Sequence, residues 1–320
     1  MTRNNVFSVI KTVIVYFFIL FIAITVVFFA INLLIQPQIN KNIAVASQIP
    51  KNYWTRYTEF LGNFFTFQSG KIYSQELNAA NMSIAALYFS QFKWTIAFTL
   101  FVFFIGFIIG NLLGIWTGYK YNKTSDFIVN IIVGIIATIP LVILTIIALS
   151  SSAFASYPSQ FIYDAKYTFI SLLIPSIITA FGAISLFHGR SRKIVKEVIS
   201  SDYYLFGKSL GNSQIKLFKQ YIFKNLIIGE LQVIIPFYTL LFSTSLIVER
   251  IFSIPGQSTF LSYAFSKGEI NLIMFYFTFS FFALIIVRFI NDLILNKLNP
   301  AQATERRIKI IKKKRGVYAR

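Results

Sequence analysis

Side chains able to do chemistry are scarce in this chain of 320 residues: 11 acidic groups, one histidine and no cysteine. The lack of thiols excludes disulfides, thiolate metal sites and cysteine nucleophiles. His188 cannot build a metal centre alone, and its place at the end of an apolar run suits an interfacial side chain. No G-x-x-x-x-G-K-[ST] phosphate cradle occurs in the strand and helix context it needs, so no ATPase is expected within the chain. What remains is a few carboxylates set among apolar residues. Glu230 admits two readings: a carboxylate favoured by the dipole at a helix start, or a proton relay. Arg288 and Asp292 are four residues apart and share a helix face. Such a pair is either functional or an ion pair bracing a helix bundle, and the bracing reading is the plainer. Glu249, at the far end of the run that begins near Glu230, suits packing or gating. No catalytic residue, cofactor or metal is expected.

Composition says what must hold these groups. Hydrophobic residues make up 56% of the chain, charged ones 13%, and the mean hydropathy is +0.67. Soluble domains are about 45–50% apolar and about 25% charged. The apolar residues come in long runs, and a bilayer crossing needs about 20 of them. Six runs qualify: 12–35, 94–118, 127–149, 169–187, 226–248 and 272–295. The expected fold class is therefore an all-α integral membrane protein with six transmembrane helices. The first run is too long for a secretory signal and lacks a small-residue cleavage site, so it reads as a retained helix.

The net charge of +19 would suggest nucleic acid in a soluble protein. In a membrane protein it follows from basic cytoplasmic loops, and no nucleic-acid partner is expected. Most of the 30 Lys and Arg lie at the two ends, at 120–123 and at 190–224. That distribution predicts a multi-pass cell-membrane protein with both termini cytoplasmic. The layout is a first helix with its leader (1–35), an external loop (36–93) expected to hold short helices, a five-helix core (94–296) and a basic tail (297–320). The tail suits a charge anchor that also meets membrane lipids.

Gly106, Gly110, Gly114 and Gly118 recur every four residues in the second run, a face for close helix packing. Pro140, Pro175 and Pro236 are expected to bend their spans. The region 188–225 is the unusual one, because a basic, glycine-punctuated segment interrupts two apolar runs. Ser200, Ser201 and Asp202 suit a helix start. Gly211 suits the left-handed residue that ends one. Asn212 or Ser213 then caps a second helix through Lys224, with Ile215, Phe218 and Tyr221–Ile222 as its apolar stripe. This elbow reads as an amphipathic linker on headgroups, a helix-turn-helix, or a knob docking a partner protein.

The segment "EVISSDYYLFGKSLGNS" resembles the cytoplasmic coupling loop of ABC-importer permeases of the oligopeptide/dipeptide/nickel type, first-permease form. That loop reads E-V-x-x-x-D-Y-x-x-x-A-R-A-x-G-x-S, and Glu197, Asp202, Tyr203, Lys208 (for Arg), Gly211 and Ser213 match it in order. "LIVERIFSIPGQ" resembles a second family segment at Val248, Glu249, Phe252, Ser253, Pro255 and Gly256, and "FINDLILNKLNP" resembles its closing pattern. Leu205, Phe206 and Gly207 stand where other branches carry Glu-Ala-Ala, with Gly207 keeping a small residue. Gly229 replaces a common proline, and Gln257 a usual apolar residue.

The resemblance implies a type I importer permease bundle and a non-catalytic subunit. Its partners would be a second homologous permease, two ABC ATPase subunits that use the ATP, and an extracytoplasmic solute-binding protein. The loop (Glu197, Asp202, Tyr203, Gly207, Lys208, Gly211, Ser213) would dock the ATPase, and Glu249, Pro255 and Gly256 would belong to an external gate or loop. Oligopeptides or dipeptides are the implied cargo, with nickel or a metal chelate the alternative inside the family. An ion-gradient carrier and a membrane sensor or assembly protein are the alternatives outside it.

Overall fold

The computed structural model describes residues 3–78 and 81–299, and all their regular structure is helical. The basic tail expected at 297–320 lies outside the described residues from position 300 onward. The helices are α1 (Arg3–Lys41), α2 (Ile43–Ala46), α3 (Tyr53–Phe65), α4 (Gln75–Asn78), α5 (Ile84–Tyr119), α6 (Thr124–Thr138) and α7 (Leu141–Ala155). They continue with α8 (Tyr167–Ile199), α9 (Asp202–Ser209), α10 (Gln214–Leu217), α11 (Phe223–Ile251), α12 (Gln257–Lys267) and α13 (Ile270–Leu298).

Five stretches are long and apolar enough to cross a membrane: Ile10–Lys41, Ile84–Tyr119, Tyr167–Ile199, Gln214–Ile251 and Ile270–Leu298. The sixth expected span, 127–149, is not one straight helix. It is the pair α6 and α7, bent by 87°. The cause is local. Ile139 precedes a proline, so the α region is disfavoured there, and its backbone is extended at φ −71°, ψ 124°. Pro175 and Pro236 instead sit inside helices that stay continuous. Thr179 Oγ1 donates to Pro175 O at 2.8 Å.

The chain forms two compact units. The first comprises Met1–Thr99, Leu149–Leu172 and Ser243–Ile285. Its aromatic core surrounds fully buried Tyr88, whose ring meets Phe92, Phe260 and Phe279 at 5.1–5.2 Å. The region 36–93 holds three short helices and is clasped to the start of α13. Glu269 accepts from Tyr73 N at 3.2 Å and from Ser74 N, while Glu76 pairs with Lys267 at 2.8 Å. Burial raises the Glu269 pKa against the lowering effect of those two donors.

The second unit comprises Leu100–Ala148, Leu173–Phe242 and Ile286–Arg320. Here the glycine face of α5 lies directly on α8. A Cβ at Gly106 would stand 2.4 Å from Ala183 Cβ, and one at Gly110 2.8 Å from Ile184 O. Arg192 on α8 grips Asp126 at the start of α6 with two bonds of 2.6 and 2.8 Å. Asp126 is 2% exposed and also accepts from Asn122 N and Asn130 Nδ2, so its charge is fully partnered.

Between α10 and α11 the chain makes one π turn, Phe218–Ile222. The helix therefore does not stop at Lys224 but runs from Gln214 into the fifth span. The buried stripe is Leu217, Ile222 and Leu226, whereas Ile215 is 70% exposed. Of the expected stripe, Phe218, Tyr221 and Ile222 pack inward and Ile215 does not; the π turn absorbs one extra residue, which lets Leu217 and Ile222, five apart, share a face. Gln220 is exposed within that turn and Lys224 is exposed beyond it. Deleting Gln220 is expected to leave a regular helix with Leu217 and Ile222 now four apart, and a melting temperature close to that of the parent. Deleting Lys224 is expected to turn the stripe by about 100° per residue and to destroy the folded peak on size exclusion.

Candidate functional site

The elbow is built as a short helix fastened to a platform. Ser201 precedes α9, and Asp202 occupies its first turn, where a negative charge favours the helix. Tyr204 and Gly207 face inward. Tyr204 joins Ile194, Val195, Val198, Leu217, Ile222 and Leu226 in one buried cluster. Gly207 lies under the Tyr221 ring, where a Cβ would stand 2.7 Å from Tyr221 Cε2. Tyr203 reaches the same ring at 5.7 Å between centroids.

The turn after α9 closes its own hydrogen bonds. Gly211 takes the left-handed conformation at φ +74° and donates to Lys208 O at 3.0 Å. Asn212 Nδ2 donates to Gly207 O at 2.8 Å, and Ser213 Oγ accepts from Lys216 N at 3.4 Å to open α10. Glu197 pairs loosely with Lys193 along α8 at 3.9 Å, and Lys208 is exposed. Outward the elbow presents Leu205, Phe206, Leu210 and Ile215, each at least 50% exposed. A rigid base carrying clustered exposed apolar side chains is suited to docking another protein.

Glu249, near the end of α11, packs against the turn at Pro255 and Gly256 that leads into α12. Glu249 is fully buried and accepts from Ser258 N at 2.9 Å, so its carboxylate caps α12. Gly256 is required by closeness, since a Cβ there would stand 2.6 Å from Glu249 Cδ. Thr95 Oγ1 accepts from Gln257 N at 2.8 Å, and Gln257 Nε2 donates to Ser245 Oγ at 2.6 Å. That second bond gives the unexpected amide after Pro-Gly its own partner.

Two expectations about polar residues in the runs are corrected. His188 is not interfacial: it is 2% exposed, inside continuous α8, with Nε2 3.1 Å from Thr117 Oγ1. Glu230 is not at a helix start, because the helix begins at Gln214, so no dipole end lies beside it. Glu230 instead meets Ser191 Oγ at 3.0 Å, and the same hydroxyl donates to Asn111 Oδ1. Asn111 Nδ2 is committed to Phe107 O at 2.9 Å, which fixes the amide. A serine hydroxyl has one proton, so it cannot satisfy both acceptors at once. Asp126 and Arg192 were not identifiable as partners from spacing, since 66 positions separate them. Arg288 is exposed, Asp292 is half-buried, both lie on α13, and each is engaged by neighbouring groups.

Residues 110–303, which hold the elbow and the Glu249 turn, match the family described as binding-protein-dependent transport system inner membrane component. The chain belongs to this family. The permease is 26% identical over 272 residues to the oligopeptide transport system permease protein OppB of Mycoplasma genitalium, covering 80% of this chain and 67% of that protein. It is 23% identical over 275 residues to the dipeptide transport system permease protein DppB of Bacillus subtilis, covering 86% and 85%. A putative peptide transport system permease protein of Brucella suis is 23% identical over 273 residues, covering 83% and 85%. Among the described residues of the permease, no three His, Cys, Asp or Glu side chains are grouped to hold a metal ion.

Proposed function

We propose that the permease is the membrane subunit of an ATP-driven importer of short peptides, with both termini and the elbow cytoplasmic. The observation that carries this reading is the elbow itself, a glycine-closed knob with an apolar tip, inside the part of the chain that matches the transport family. Peptide cargo is supported by the names of relatives that align over most of the chain.

In this reading α9 seats in a groove of an ABC ATPase subunit, and Glu197, Asp202, Tyr203 and Lys208 surround the contact. Two ATPases, a second homologous permease and an extracytoplasmic binding protein complete the transporter. Closure of the ATPases pushes the elbow, and the shared core of α8, α9 and α11 passes that push to two spans together. Solute released by the binding protein then crosses between the permeases by alternating access. Glu249, Pro255 and Gly256 shape the external side, where a capped, tightly packed turn keeps α12 fixed to the end of the fifth span.

Reconstitution with the ATPases, the second permease and the binding protein tests this. Uptake of a labelled peptide is expected only with ATP and binding protein together. Uptake driven by a proton gradient alone, or of a nickel chelate but no peptide, would refute the assignment.

A further inference from the structure

Arg56 is a buried cation with no ion pair among the described residues. It lies on α3 and is 7% exposed. Its partners are neutral. Nε donates to Pro50 O at 2.5 Å, and Nη1 donates to Asn32 Oδ1 at 3.2 Å and Gln36 Oε1 at 3.0 Å. Both amides are held with their oxygens toward the guanidinium, because Asn32 Nδ2 donates to Phe28 O and Gln36 Nε2 to Asn40 Oδ1, each at 2.8 Å. The Tyr53 ring lies 5.2 Å from Cζ. Burial lowers the Arg56 pKa, offset only by Tyr53 and Tyr73. A guanidinium stays charged in proteins, and a buried charge without a partner is costly. Among the described residues, Nη2 donates to no protein atom.

Arg56 lines a cavity of about 480 Å³, within the roughly 300–1,000 Å³ of small-molecule sites. The other charged groups in its wall are Lys71 and Glu59. Glu59 is three residues after Arg56, on the same face of α3. The wall is fixed by Asn271 Nδ2 donating to Lys71 O at 2.8 Å and by the Glu269 clasp on Tyr73 and Ser74. Two cations, one carboxylate and amide groups around one cavity match a ligand with a carboxylate at one end and an ammonium at the other.

We propose that this cavity binds a small zwitterion of the amino-acid type, its carboxylate on Arg56 and Lys71 and its ammonium toward Glu59. The free Nη2 edge of the guanidinium supplies the N–H donors a carboxylate takes most strongly. The site is distinct from the elbow and does not rest on the transport reading, because its binding needs neither ATP nor any other subunit.

Calorimetry on the purified full chain with alanyl-alanine tests it. Saturable binding is expected, weakened at least tenfold for alanyl-alanine amide and for the N-acetylated dipeptide. Arg56→Gln and Lys71→Gln are each expected to weaken alanyl-alanine binding at least tenfold. Should Arg56→Gln fail to fold, exposed Lys71→Gln and Glu59→Gln decide the matter. No saturable heat, equal binding of the amide, or unchanged binding in the Lys71 and Glu59 variants overturns the proposal. So does occupancy by phosphatidylglycerol, where nanodiscs containing that lipid block the dipeptide and lipid-free detergent preparations show no dipeptide binding.

Discussion

Gly114→Val is expected to leave little folded protein. A Cβ at this position would lie 2.7 Å from His188 O and from Ser191 Cβ, and 3.1 Å from Arg192 N. Two of those atoms are backbone, so no rotamer change relieves the clash. The same holds one turn away, where a Cβ at Gly110 would meet Ile184 O at 2.8 Å and His188 N at 3.2 Å. Making room therefore requires α5 and α8 to separate along the whole stripe. Overpacking a core costs about 1–3 kcal/mol when side chains can shift, and here they cannot. Whole proteins are stable by only about 5–15 kcal/mol. Gly134 is the matched control, since it lies within α6 and a Cβ there meets nothing within 4 Å. Gly134→Ala is expected to gain about 0.5–1 kcal/mol from helix propensity alone. Thermal melts and size exclusion in detergent read both variants. Equal behaviour of the two would mean that the close approach of α5 to α8 is not what stabilises this unit.

Gly211→Val is expected to insert and fold but to abolish ATP-driven uptake in the reconstituted transporter. Gly211 holds φ at +74°, and no atom lies within 4 Å of its would-be Cβ, so space is not the obstacle. The cost is conformational, about 1–2 kcal/mol for an ordinary L residue in this region, and a β-branched side chain tolerates it worst. Eight-residue α9 meets the platform through Tyr204 and Gly207, so relaxing the turn re-aims the helix and not the bundle. Gly211→Asn is the control, because asparagine accepts the left-handed region at a helix end. It is expected to retain most uptake. Full transport by Gly211→Val would remove the need for a fixed elbow.

The spans are legible in sequence because a helix of a soluble domain needs only one apolar stripe, whereas these runs are apolar on every face over about 20 residues. Their ends are less so. The basic stretch after Phe187 contains no proline and Gly189 does not stop the helix, so α8 continues to Ile199. The fifth helix likewise begins at Gln214, which is why Glu230 reads wrongly as a first-turn residue. The elbow is the most legible local feature, since Ser201, Gly211 and Ser213 each signal a backbone conformation by residue type. The π turn leaves a fainter trace: Leu217, Ile222 and Leu226 are spaced five and then four. Asn32 and Gln36, two amides four apart in an apolar run, signal a polar neighbour without naming it. That the neighbour is Arg56 depends on how the chain folds back after α1, and spacing does not carry that.

The broken pair α6 and α7 has a bearing on how the chain exists in a cell. Residues 134, 135 and 137–140 around the break are exposed, and at Ile139 and Pro140 the backbone leaves the helical pattern. Hydrocarbon offers such peptide groups no hydrogen bonds, so irregular backbone at that depth persists only against protein or water. A solitary copy would thus present raw amide polarity to acyl chains. Its lifetime in a bilayer would follow the supply of whatever surface shields that kink.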